Sequence, residues 1–166
     1  MSISKEPQRP KYKRKKKKVS FRSKDIEDWT LEDWKEWLWE LFSKYIRLRD
    51  CIKTTGTTKR GRCGTCSKIY PINKGFQAGH FVPGRADAIL FDPDCVHGQC
   101  YRCNVVLGGD WPAYYRWMQA NYGQEKIEQL IDQRDEEVEL TVEWIQEAYE
   151  YYTKHIEELH ASTISN

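Results

Sequence analysis

Two Cys-x-x-Cys pairs, Cys63/Cys66 and Cys100/Cys103, enclose an isolated histidine, His80, and are followed at once by Asn104. Thiolates at positions i and i+3 converge on one zinc ion at about 2.3 Å each, and two such pairs close a tetrahedral site. With sulfur at every position no place remains for water, so the expected ion is structural, and such sites contribute on the order of 10–16 kcal/mol in small zinc peptides. Thirty-three residues separate Cys66 from Cys100, more than the ~15–20 of common four-cysteine ribbons. The excess accommodates a hairpin and the start of a helix, with His80 in the loop that the metal closes.

The elements that must position these residues follow from periodicity. Phe76, Ala78, His80 and Val82 alternate like a short strand, and Ile89-Leu90-Phe91 reads as a second one. Asp94 reads as the cap of a helix carrying His97, Cys100, Cys103 and Asn104, which gives the order strand, strand, helix. Upstream, Thr30 with Asp33 three residues on resembles a capping box. Leu31, Trp34, Leu38, Leu41, Phe42 and Tyr45, widened by Trp37 and Ile46, then form one helical face to about Arg49. Residues 53–62 read as a loop. After Gly108-Gly109, helices are expected over about 112–121, 124–133 and 141–159, with Pro112 in a first turn and Gly123 as a break.

The strand, strand, helix order, with histidine on the first strand and Cys-x-x-Cys-Asn at the end, resembles the HNH or ββα-metal endonucleases in their zinc-bearing, endonuclease VII-like version. A longer set of motifs is similar to the NinG/Rap family of phage recombination proteins. It comprises Tyr45-Ile46-Arg47-Leu48-Arg49-Asp50, Ala78-Gly79-His80-Phe81, His97-Gly98-Gln99-Cys100-Tyr101-Arg102-Cys103-Asn104 and Leu107-Gly108-Gly109, within roughly residues 37–130. The resemblance implies a metal-dependent DNA endonuclease acting in phage DNA recombination, with branched DNA such as Holliday junctions as substrate. It also implies His80 as the general base on water and Asn104 as a ligand of one catalytic Mg2+ or Mn2+ ion. A neutral imidazole suits the first role and an amide oxygen the second.

Two positions depart from that pattern. Many HNH sites carry an aspartate directly before the histidine as a second metal ligand; here that residue is Gly79. A replacement is expected from His97, Asp92 or Asp94. His97 is preferred because, seven residues before Asn104, it would share a helix face with it. The other departure is Cys95, near where an asparagine usually braces the histidine loop; like Cys51 it reads as a small buried residue. Arg85 is expected either to grip the scissile phosphate or to pair with Asp87, and Arg102 is a weaker backbone contact.

Charge separates the chain into unlike parts. Residues 1–24 hold eleven Lys or Arg against Glu6 alone, and the remaining 142 residues carry 16 basic and 24 acidic side chains. Seven of the eight residues from Lys11 to Lys18 are basic, and Lys13, Arg14, Lys15, Lys16, Lys17 and Lys18 are expected to lie on a nucleic-acid backbone, where counterion release favours binding. A solubilising tail or an anionic-membrane patch is the alternative use of such an arm. From Glu125 to Glu158 twelve acids face three bases, so this half repels DNA and is expected to buttress, to dimerise or to bind a basic partner. His155 and His160 lie on its solvated end and carry no expected chemistry.

No apolar run approaches a membrane span and no signal peptide is evident, so the expected location is the cytoplasm of an infected or lysogenic bacterial host. A reducing compartment also favours metal over disulfides for the paired cysteines. The expected fold is α+β and mostly helical. Its parts are a disordered basic arm (1–24), an amphipathic helix (25–52), a zinc-stapled ββα-metal (HNH) core (53–110), C-terminal helices (111–160) and a tail (161–166). The rival to a nuclease is a non-catalytic, zinc-stapled nucleic-acid-binding or adaptor protein of recombination or packaging.

Overall fold

The computed structural model describes residues 20–164. The basic run Lys13 to Lys18 lies outside the described residues. Two short 3-10 turns, Phe21–Ser23 and Ile26–Asp28, lead into helix α1, Leu31–Thr55. Asp33 Oδ2 accepts the Thr30 amide at 2.9 Å and the Thr30 hydroxyl accepts the Asp33 amide, so aspartate completes the capping box in place of glutamate. Trp34, Leu38, Phe42 and Ile46 are buried along one stripe, whereas Leu31 stays exposed at the first turn. The helix outruns its expected end by about two turns and stops at Gly56, which adopts the left-handed conformation (φ 70°).

Two small antiparallel hairpins follow. In the first, β1 (Arg60–Arg62) pairs with β2 (Ile69–Pro71), and the turn between them holds Cys63 and Cys66. In the second, β3 (Phe76–His80) pairs with β4 (Val96–Cys100), in a register that sets Phe76 opposite Cys100, Gly79 opposite His97 and His80 opposite Val96. A short helix α2, Asp87–Leu90, bridges β3 and β4. The second strand is therefore Val96–Cys100, and Ile89-Leu90-Phe91 is mostly helix. Three consecutive apolar residues fit a buried helical turn as well as a strand, and only the pairing partner decides. The segment expected to be a helix after Asp94 is strand because the β3 edge supplies a backbone ladder. It can approach so closely because Gly98 lies under the Phe76 ring, where a Cβ would overlap Cζ and stand 2.8 Å from Cε1.

Beyond β4 the backbone makes one π-helical turn, Arg102–Val106, which carries Cys103 and Asn104. Helix α3, Trp111–Gln133, has Pro112 in its first turn and a break at Gly123 (φ 81°, ψ 169°). Helix α4, Val142–Ile164, runs through residues expected to form a tail. It packs along α1: Trp37 stacks on Tyr149 with centroids 3.7 Å apart, and Tyr152 meets Phe42 and Tyr45 at 5.0 Å. One core of buried side chains joins α1, the β3–β4 hairpin, α2, α3 and α4. The fold is mostly helical α+β, and no helix among the described residues is long and apolar enough to cross a membrane.

Candidate functional site

The four sulfurs of Cys63, Cys66, Cys100 and Cys103 lie within 4.8 Å of one another. The Cys66 and Cys100 Sγ atoms are 3.9 Å apart, close to the ~3.8 Å edge of a tetrahedron with 2.3 Å metal–sulfur bonds. Backbone amides point into the cluster: Cys66 N and Cys100 N donate to Cys63 Sγ at 3.5 and 3.3 Å, and Cys103 N donates to Cys100 Sγ at 3.5 Å. These donors favour thiolates. Burial opposes ionisation of Cys100, but the Cys103 amide and the Tyr70 hydroxyl bring it down to about 7; burial pushes Cys63 and Cys103 up. Cys100 is thus readily ionised, and Cys63 and Cys103 resist joining it until a cation offsets their charge. Cys51 and Cys95 stand apart as fully buried single thiols, raised by burial to about 12 and about 11, and serve as packing.

Beside this cluster is an open cavity of about 590 Å³ between α1 and the exposed edge of β3. His80, Arg85, Asn104, Gln77, Trp39 and Arg47 line it, and no carboxylate is among its described lining residues. His80 Nε2 lies 3.0 Å from the Leu90 carbonyl, which can only accept, so this nitrogen carries the proton and Nδ1 keeps a lone pair. The ring stacks on Trp39 at 4.9 Å. Burial, aided by the Arg85 charge and only partly offset by the Leu90 carbonyl, lowers His80 to about 4, so it is neutral at pH 7. The Arg85 guanidinium lies 4.5 Å over the Trp39 ring. Asp87 is taken by Lys35 at 2.7 Å, so of the two uses expected for Arg85 the pair with Asp87 is not formed. Asn104 Nδ2 donates to Gln77 Oε1 at 3.0 Å.

His97 is not part of this cavity. In the β3–β4 ladder His97 lies opposite Gly79, and what removes it from the cavity is its enclosure beneath α3, since Gln77 on the same face of the ladder does line the cleft. It is 1% exposed, among Tyr114, Trp117 and Tyr122. Its Nε2 lies 2.9 Å from the Asp94 carbonyl and its Nδ1 3.0 Å from Arg49 Nη2. The carbonyl must receive a proton and the guanidinium must give one, so the ring is neutral and neither nitrogen is left for a metal. Asp50 completes the group, taking Arg49 Nε at 2.7 Å and the Gly98 amide at 2.6 Å. Burial would raise the Asp50 carboxyl, but the Arg49 guanidinium beside it outweighs that effect and holds it below its ordinary value. The other proposed replacements fail too. Asp92 accepts the Asp94 amide, Asp94 pairs with Lys126 at 2.9 Å, and both line a separate cavity with Val138 and Trp144. Arg102 is exposed on the π turn and is not among the residues lining the cleft.

Residues 2–162 match the family described as Bacteriophage Lambda NinG protein. The chain belongs to the NinG family. It is a NinG-family phage recombination protein, and the match reaches well beyond the 37–130 segment in which the motifs are concentrated. No curated protein matches, and no solved structure matches. Three residues that line the cleft of this NinG-family chain have no role assigned from the sequence: Trp39, Arg47 and Gln77. Trp39 was assigned to neither the packing stripe nor the site, although it lies one turn before Ser43, which also lines the cleft.

Proposed function

We propose that this protein is a metal-dependent DNA endonuclease of the HNH type, with branched recombination DNA as its substrate and a structural zinc in the four-cysteine cluster. The observation that carries the reading is the cleft. A body with excess acid presents there two arginines, a neutral imidazole with a free lone pair and an amide, without a carboxylate in the lining. An anionic phosphodiester is favoured in such a cavity, and its charge can spread over Arg85 and Arg47.

His80 does the proton work. Its Nε2–H is anchored on the Leu90 carbonyl, so Nδ1 is aimed by that bond and by the Trp39 ring to take a proton from an attacking water. Arg85, held over Trp39, orients the phosphate. Asn104, in the turn that follows Cys103, offers an amide oxygen for a hard dication, and the zinc cluster fixes that turn relative to β3. A divalent ion bound there supplies positive charge to the leaving oxygen and the crowded phosphate. The basic run Lys13 to Lys18 would neutralise DNA phosphates. The acidic α4, with Trp144 and Tyr151 exposed, is the surface offered to a partner protein or a second copy.

The test is incubation of zinc-loaded protein with duplex, single-stranded and four-way-junction DNA in Mg2+ or Mn2+, beside His80→Ala. Cutting by the native chain and a loss of about 10²–10⁴-fold in the variant are expected for removal of a general base. Intact DNA, or cutting that ignores the substitution, would overturn it. A non-catalytic binding module is the second reading, favoured by Gly79 standing where a carboxylate was expected; it predicts shifted but uncut DNA.

A further inference from the structure

Gln99 is fully buried, and its Oε1 has no hydrogen-bond partner. Its amide is not free to turn over, because Nε2 donates to the Gly109 carbonyl at 3.0 Å, an acceptor that would repel Oε1. Thr65 Oγ1 takes the second Nε2 hydrogen. The unpartnered oxygen is thereby aimed at the α-carbon of Gly79. A Cβ built on Gly79 would overlap Gln99 Oε1 and stand 2.8 Å from Asn104 Oδ1. Two amide oxygens therefore converge on the spot from which an aspartate at position 79 would start.

A buried carbonyl oxygen without a partner has lost its hydration with nothing in return. Here that oxygen stands beside Asn104, which lines the cleft with His80. We propose that Gln99 is the second protein ligand of the catalytic divalent ion, replacing with Asn104 the carboxylate that position 79 lacks. The proposal rests on the nuclease reading and gives it a specific consequence. Two neutral amides bring no charge to offset a dication, so the ion is held weakly until a DNA phosphate supplies it. By linkage, the ion and the DNA then tighten each other by one and the same factor.

The experiment uses the full chain, zinc-loaded and carrying His80→Ala so that DNA stays intact. Mn2+ binding is read from the electron paramagnetic resonance signal of the free ion, with and without a four-way junction. Weak binding alone and at least tenfold tighter binding with the junction are expected. Gln99→Ala should weaken Mn2+ binding at least tenfold while zinc remains at one per chain. Gly79→Ala, which displaces Oε1 but leaves Gln99 in place, should weaken it as well, and it decides the matter if Gln99→Ala loses zinc. Gly79→Asp combined with Gln99→Ala should restore binding and reduce its dependence on DNA. Unchanged Mn2+ affinity in a zinc-loaded variant overturns the assignment. If the chain with His80 still cuts and needs His80, only the Gln99 assignment falls; if it neither cuts nor binds Mn2+ with DNA, the nuclease reading falls with it.

Discussion

Replacing Arg49 by alanine removes the cation that holds α1 to β4. The side chain donates to Asp50 Oδ1 at 2.7 Å, to the Pro93 and Val96 carbonyls at 2.7 and 3.0 Å, and approaches His97 Nδ1 at 3.0 Å. Its loss leaves Asp50, 6% exposed, as a buried carboxylate with the Gly98 amide at 2.6 Å and the His97 ring at 3.7 Å beside it but no permanent cation. Breaking a buried pair in this way costs about 3–5 kcal/mol. At about 2–4 °C per kcal/mol for a domain of this size, Tm should fall by roughly 6–20 °C. Urea unfolding at fixed free zinc is the assay, because metal binding adds its own stability. The pH dependence distinguishes this cause from simple loss of packing. In the native chain Asp50 titrates at about 2, below its ordinary 3.8, so its contribution is complete above pH 4 and is lost as pH falls toward 2. In the variant, burial acts without Arg49 and raises the carboxyl, so acid neutralises the stranded charge and the deficit should shrink between pH 7 and pH 4. Adding Asp50→Asn should cost less than the sum of the two single changes. A deficit under about 1 kcal/mol, or one that grows in acid, would refute the reasoning.

Other outcomes follow from the same structure. In a nuclear magnetic resonance titration of the free protein, His80 should gain its proton near pH 4 rather than near 6.5, since burial disfavours the imidazolium. Because the unfolded chain is protonated first, this residue's share of stability is full above pH 6.5 and declines down to about 4; an inflection at 6.5 would contradict its enclosure. Cys66→Ser, or a strong chelator, should remove the metal and lower the melting temperature by more than 10 °C, given the ~10–16 kcal/mol such sites contribute in small peptides; unaltered melting would place the ion elsewhere. Gly98→Ala should destabilise by about 1–3 kcal/mol through collision with the Phe76 ring, measured by urea unfolding.

The parts of the fold readable in the sequence were those fixed by local chemistry. The Thr30/Asp33 cap, the Trp34 to Ile46 stripe and the break at Gly123 depend on neighbours within a turn or two, and each appears where local rules place it. The paired cysteines were readable for another reason: their spacing demands convergence whatever the fold. The His80 strand was visible through alternation, but its partner was not. Val96–Cys100 is strand because β3 offers an edge and because Gly98 admits the Phe76 ring, two facts about residues some twenty positions apart. That error carried His97 into the cleft on paper, since helical spacing aligned it with Asn104. In three dimensions it is buried against Arg49, among Tyr114, Trp117 and Tyr122. The sense of Gly79 was unreadable for the same reason: what fills its missing side chain comes from across the sheet.

Thr65 lies between Cys63 and Cys66 and receives the amide proton of Gln99, whose neighbour is Cys100. The cleft is thus joined to the sulfur cluster by a side chain pinned on both sides by it. A freshly synthesised chain without its zinc would have Cys63, Cys66 and Thr65 on one unfastened hairpin and Gln99 on another. On the nuclease reading, such a chain would lack a fixed Gln99 beside Asn104, so zinc loading would have to precede any cutting of DNA.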